Sequence, residues 1–249
     1  MNGFMHWMAG SAVGAALWLA TGVAGASAPA CARQAPRTIP ASLMTDGFLD
    51  GHPDLRWRRY ALKEIDKGNL PRALSRFRKA AEYADKYSQL RVAIMYREGS
   101  GVAADPELAY AWMDLAAERG YHDFVRLRDA WWAELDAGQR ERALQRRQDV
   151  FAQYGDEVAK PRLESAMRGR LSKITGSRVG HVHSGLQVEQ RTGATAGEVQ
   201  SGADYYDPEY WKPELYWCLH DTYWMAPLRQ QQIDVGLPET VHGGEGDGK

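Results

Sequence analysis

The chain has 249 residues, 44% hydrophobic and 25% charged, values of an ordinary globular protein long enough to bury a core. Its net charge of −1 supplies no field that would draw it to nucleic acid or anionic lipid. Two cysteines, Cys31 and Cys218, exclude a disulfide scaffold and any Cys-x-x-Cys zinc site.

Residues 1–32 contain no Asp, Glu, Lys or Arg, and Ala9 to Ala24 are apolar and small-residue rich. Ala26-Ser27-Ala28 and Ala28-Pro29-Ala30 are small-x-small sequences of the kind a signal peptidase accepts, so 1–32 reads as a secretory signal peptide. The first ten residues lack the usual Lys or Arg. A retained N-terminal membrane anchor is the alternative, against which Gly, Ser and Thr interrupt the apolar run. Ala28-Pro29-Ala30-Cys31 is similar to a bacterial lipobox, which would make Cys31 a lipidation site; Pro29 and the absence of Leu three residues before the cysteine depart from that pattern.

Residues 33–53 carry three prolines and no helical period, and read as a linker. Apolar residues then recur at spacings of three and four. Leu55, Tyr60, Leu62 and Ile65 predict a first helix ending near Gly68. Leu70, Ala73, Leu74, Phe77, Ala80 and Ala81 predict a second, with Asn69 as its cap and Pro71 in its first turn. Leu90, Val92, Ala93, Ile94 and Tyr96 predict a third. Leu108, Ala109, Ala111, Trp112, Leu115 and Ala116 predict a fourth, capped by Asp105 with Pro106 next. Asn69, Ala73 and Ala80-Ala81-Glu82 reappear as Asp105, Ala109 and Ala116-Ala117-Glu118 after a shift of 36. A period of that length signals stacked helical hairpins, because one hairpin cannot bury its own apolar stripe.

The best unit resembles the Sel1-like repeat, a relative of the tetratricopeptide repeat. The family's spaced positions are matched here by Tyr96, Gly99-Ser100-Gly101-Val102, Asp105, Ala109, Trp112, Ala116-Ala117 and Gly120. Val92-Ala93 stands where Leu-Gly is usual. The clear resemblance covers 88–120 and a weaker one 55–154, whose last unit has Phe124, Leu127, Trp131 and Trp132 but an Arg-rich partner helix that reads as a cap. The resemblance implies an all-α fold, a short right-handed α-solenoid of helical hairpins, over 54–155. It also implies a non-catalytic scaffold or adaptor, with a protein as partner and no cofactor. Together with the signal sequence this points to the periplasm or cell envelope of a bacterium.

Residues 156–203 read as a basic helix, with Arg162 to Lys173 helical, followed by a flexible connector from Gly180 to Gly202. His181-Val182-His183 lacks a third ligand, so no metal site is expected. Cys218-Leu219-His220 fits a buried thiol beside a partly exposed imidazole rather than a nucleophile motif. Residues 204–234 form an aromatic-rich extension of irregular structure. Eight of the twenty residues from Tyr205 to Trp224 are Tyr or Trp, interleaved with acids. Either the segment folds back across the solenoid groove, or Tyr210, Trp211, Trp217 and Trp224 form an exposed platform for a partner protein or a glycan such as peptidoglycan. Residues 235–249 are Gly-rich and polar, and read as a disordered tail. No Gly-x-Ser-x-Gly, His-Glu-x-x-His or Walker pattern is present, so no catalytic residues are assigned.

Overall fold

A computed structural model of the protein describes residues 38–173, 187–192 and 195–225. Helix α1 (Asp46–Gly51) leads into α2 (Pro53–Asp66) and α3 (Leu70–Ala81), which pack along each other as a first hairpin. Helices α4 (Lys86–Glu98) and α5 (Pro106–Ala116) form a second. Helices α6 (His122–Glu134) and α7 (Ala137–Tyr154) make the third unit, in which α7 packs chiefly along α5. Helix α8 (Asp156–Leu171) returns to α1 and α2. The chain continues through β1 (Gln187–Thr192), β2 (Thr195–Ser201), α9 (Gly202–Tyr205), α10 (Pro208–Trp211) and α11 (Pro213–Met225). The architecture is the expected α-solenoid of helical hairpins.

Local chemistry explains the helix ends. The Asp85, Asp105 and Asp136 carboxylates accept hydrogen bonds from the backbone N–H groups of Ser88, Leu108 and Gln139, satisfying donors that the first turn leaves unpaired. Gln139 returns the contact to the Asp136 backbone, completing a capping box. Asn69 makes no such side-chain bond, so its expected role as a cap is not realised. Pro53, Pro71 and Pro106 sit in first turns, where a missing N–H is harmless.

One apolar core runs continuously from Ala61 through the second hairpin to Tyr154. The repeat positions Tyr96, Ala109, Trp112, Ala116 and Ala117 are all buried in it. Gly99 and Gly120 stop helical segments at φ of 74° and 72°. Gly101 keys one hairpin to the other. A Cβ there would lie 2.5 Å from the Leu70 carbonyl carbon and 2.7 Å from the Pro71 nitrogen, so only glycine lets the loop before α5 touch the start of α3.

Three stretches depart from the sequence reading. The linker of 33–53 contains a 3-10 turn at Ala41–Leu43 and helix α1, with Leu43, Phe48 and Leu49 buried. These apolar residues are too few to show a period but enough to fill a space. The connector expected over 180–202 contains the antiparallel pair β1–β2, with Gln187 opposite Ser201 and a register shift between Glu189 and Arg191. The aromatic extension is helical where described, and α8 begins at Asp156, earlier than expected. No helix among the described residues is long and apolar enough to cross a membrane. The signal-type segment 1–32, Cys31, His181-Val182-His183 and the tail 235–249 lie outside the described residues.

Replacing Gly101 by Ala is expected to lower stability in urea unfolding by about 2–4 kcal/mol, combining left-handed backbone strain with overpacking against Leu70. Gly120→Ala, where nothing lies within 4 Å of a new Cβ, should lose only about 1–2 kcal/mol. Equal losses at the two positions would mean that the Gly101–Leu70 approach does not hold the hairpins together.

Candidate functional site

Helix α11 crosses the face formed by the first helix of each hairpin. Its Tyr216 reaches the start of α2, and its Trp224 packs against Tyr87 of α4 and Phe124 of α6. Beneath it lies a seam of buried polar side chains, and these are the groups in the molecule with the most unusual surroundings.

At the α2 end, the Tyr216 hydroxyl donates to Asp54 Oδ2 at 2.5 Å, while Asp54 Oδ1 is buried without a hydrogen-bond partner. Burial pushes the Asp54 carboxyl up to about 7, and the neighbouring Asp85 charge adds to the rise. Arg58 forms two hydrogen bonds to Asp85, which also accepts from the Ser88 backbone and hydroxyl. Burial raises the Asp85 carboxyl, but the Arg58 guanidinium outweighs it and holds Asp85 below the usual carboxylate range. The Tyr216 ring lies between two imidazoles, 5.2 Å from His52 and 4.4 Å from His220. His52 places Nδ1 2.9 Å from the Phe48 carbonyl and Nε2 2.7 Å from the Tyr210 carbonyl. Only an imidazolium could donate to both oxygens. Burial opposes that charge more strongly than the carbonyls favour it, and the pKa falls to about 4. His220 Nε2 is buried and unpaired, and burial, followed by the charge of Arg58, lowers its pKa to about 3.

The middle of the seam centres on Arg119, in the 3-10 turn Ala117–Arg119 after α5. Its guanidinium donates to both oxygens of Asp156 at 2.6 and 3.0 Å, to the Ala84 carbonyl and to Asp221 of α11. Tyr121 donates to the same Asp221 oxygen at 2.5 Å. Lys86 lies 2.8 Å from Glu118 and 3.1 Å from Asp156, its side chain almost fully buried. Burial lowers the Lys86 pKa, and the nearby Arg119 lowers it further. Burial alone would raise Asp156, yet the bonds and charge of Arg119 bring it well below the usual carboxylate range.

The four aromatics singled out from sequence are built into this arrangement. Trp211 is buried, donates Nε1–H to the Tyr205 carbonyl at 2.7 Å, and stands edge-on to Phe48 at 5.5 Å. It sits so close to Gly51 that a Cβ there would fall 2.5 Å from its ring. Trp224 is buried among Tyr87, Tyr121 and Phe124. Tyr210 is half-buried with its edge to Phe48. Trp217 is half-buried, donates to Glu164, and carries Arg119 and Lys160 over its ring at 4.9 and 5.1 Å. The segment is therefore the strap across the groove; the exposed platform does not form in this arrangement. Cys218 is buried and is not a free thiol. The basic residues of α8 are also internally engaged: Arg162 donates to the Glu82 and Gln153 carbonyls, and Arg170 to that of Gly47.

Periodicity could not reveal His52, Asp54, Arg58, Asp85, Lys86, Arg119 or Asp221. Each is an isolated polar residue whose meaning depends on what crosses above it. Among the described residues no group of three or more His, Cys, Asp or Glu side chains is placed to hold a metal ion.

No known family profile and no curated protein matches the chain. Among solved structures, one that it is similar to is a protective antigen present in uropathogenic Escherichia coli strains, described as displaying an SLR (Sel1-like repeat) fold. The match has 22% sequence identity and a TM-score of 0.38, and covers 53% of this chain and 27% of that one. The chain thus aligns with about a quarter of that protein's length.

Two outcomes follow from the seam. Between its unfolded value of 3.8 and its folded value of about 7, Asp54 keeps a proton that the unfolded chain has released, so its contribution weakens the fold as pH rises through that window. His52 and His220 act in the opposite sense: their folded values of about 4 and about 3 lie below 6.5, so acidification from 6.5 protonates the unfolded chain first and destabilises the fold. Two imidazoles outweigh one carboxyl, and net stability should fall from about pH 6.5 to 4. Asp54→Asn removes only the carboxyl contribution. Its stability relative to wild type should increase from pH 4 to 7 by on the order of a few kcal/mol in urea titrations at each pH. A difference independent of pH would show that Asp54 titrates normally.

Arg119→Met should destabilise the protein by about 3–5 kcal/mol, because it removes the cation from Asp221 and the guanidinium fork from Asp156, which keeps only Lys86 and Lys160. Amide exchange should accelerate first in α11 and at the start of α8. Uniform acceleration across α2–α5 would contradict a hub role.

Proposed function

We propose that the chain is a Sel1-like-repeat scaffold of the bacterial cell envelope that binds other proteins and catalyses no reaction. The observation that carries this reading is the stack of helical hairpins itself, keyed by Gly101 and the buried alanines Ala109, Ala116 and Ala117. Such a stack builds extended rigid surfaces whose outer side chains are not needed for folding. The perturbed groups, by contrast, are sealed: His52, Asp54 and Asp85 are buried beneath α11 and hydrogen-bonded to structural partners. A general acid or base must reach a substrate, and these do not meet water. Trp211 and Trp224 are equally committed to packing, which weighs against glycan binding through the aromatic segment. The location rests on the signal-type N-terminus.

Because α11 covers the inner face, the binding surface in this reading is the outside of the array. A photo-crosslinking residue at exposed Tyr60, introduced in the native host, should trap a distinct protein from the envelope fraction. The same residue at buried Leu219 should trap none. Recovery of the chain in the cytosolic fraction, or capture only from position 219, would refute the proposal.

A further inference from the structure

The ion pairs of this array follow a pattern. Arginines on one helix are neutralised by carboxylates on the neighbouring helix. Arg142 of α7 lies 2.6 Å from Glu107 at the start of α5, Arg146 lies 2.5 Å from Asp105, and Arg147 pairs with Asp114. Arg97 of α4 lies 2.7 Å from Glu134 of α6. The first hairpin follows it at Arg58, which meets Asp85 at the start of α4, but otherwise carries cations in excess. From Pro53 to Ala81 there are nine Lys or Arg residues against three Asp or Glu, in a chain whose net charge is −1. One of those acids, Asp54, is buried under α11.

The excess is organised around two aromatic rings. Trp57 and Tyr60 of α2 stand edge to face at 5.7 Å. The Arg76 guanidinium of α3 lies 5.0 Å from the Trp57 ring, that of Arg56 lies 5.7 Å from the same ring, and that of Arg59 lies 5.9 Å from Tyr60. Stacking uses the flat face of a guanidinium and leaves its in-plane N–H donors directed outward. Arg56 and Arg59 have exposed partners in Asp50 and Asp46. Arg76 is paired with no carboxylate among the described residues, and neither is the exposed Lys63. Arg72 lies 4.0 Å from Glu64, which Lys67 shares.

We infer that the outer surface of the α2–α3 hairpin around Trp57 and Arg76 docks an acidic protein segment. Within the array a neighbouring helix supplies the carboxylates; here a partner chain supplies them. Glu or Asp side chains of the partner meet Arg76, Arg72 and Lys63 in the way that Glu107 meets Arg142. Aromatic or aliphatic residues between them cover Trp57 and Tyr60. The guanidinium fork favours planar carboxylates. This rests on the proposed scaffold function and identifies where it is exercised and on what chemistry.

The test is fluorescence anisotropy of the full chain with a fluorescein-labelled peptide of about twelve residues alternating Glu and Tyr, at about 0.15 M salt. Wild type should bind. Arg76→Gln should weaken binding about tenfold, the loss of one charge-assisted contact, and Arg76→Lys should restore only part of it. Arg142→Gln, whose side chain meets Glu107 of α5 and not the first hairpin, should leave peptide binding unchanged, and the thermal melts of the two Arg76 variants should match wild type. Absence of binding, or an equal loss in Arg142→Gln, would overturn the assignment. So would tighter binding to vesicles containing phosphatidylglycerol, or to a polyuronate, with the same dependence on Arg76; lipid or glycan would then be the occupant. If this peptide fails while crosslinking at Tyr60 still traps an envelope protein, the scaffold reading survives and only this surface chemistry falls. If the peptide binds and no envelope protein is trapped, the reverse holds.

Discussion

Arg119 is the point at which the separate parts of this protein meet. From one short turn its guanidinium reaches the start of α8 through Asp156, the turn before α4 through the Ala84 carbonyl, and α11 through Asp221. Its opposite side lies over the Trp217 ring. A charge in this position adds little net stability compared with a well-packed apolar side chain, since desolvation offsets most of the attraction. It does, however, penalise every arrangement that leaves it unpaired. Stacked hairpins could accept a strap in several registers if the contacts were only apolar. The fork of Arg119, with Lys86 and Glu118 beside it, accepts one.

The strap also accounts for composition. Eight Tyr and Trp residues in a stretch of twenty look like an interface, and they are one, but it is internal. Tyr and Trp have a large apolar body and a polar tip. They can therefore lie over a seam that is itself part apolar and part charged, as Tyr216 does by packing against two imidazoles while donating to Asp54. A Leu or Ile at that position would leave Asp54 with no hydrogen bond from above. With the inner face closed in this way, recognition moves to the outside of the array, where the first hairpin carries cations that no neighbour neutralises.

Much of the fold was legible from residue spacing. The apolar stripes of α2 to α5, the cap Asp105, and the left-handed glycines Gly99, Gly101 and Gly120 act locally, within one turn or one loop. The 36-residue shift then implies stacking, because neighbouring hairpins share the same small residues at the same places. The site was much less legible. Phe48 and Leu49 lie in a stretch with three prolines, and their burial depends on Tyr205 and Trp211, more than 150 residues later. His52 and Asp54 gain their shifted proton affinities only because α10 and α11 lie over them.

Hydrophobic period, helix caps and turn glycines thus identify hairpins and their order from the sequence by itself, since each is a contest between a few adjacent residues. The tertiary structure alone decided that the aromatic segment is a lid rather than a platform, that Arg119 is a hub, and that Arg142, Arg146 and Arg147 of α7 are neutralised while Arg76 is not. Those outcomes depend on water being excluded from particular places and on charges meeting across distant parts of the chain. No window of local sequence contains either condition.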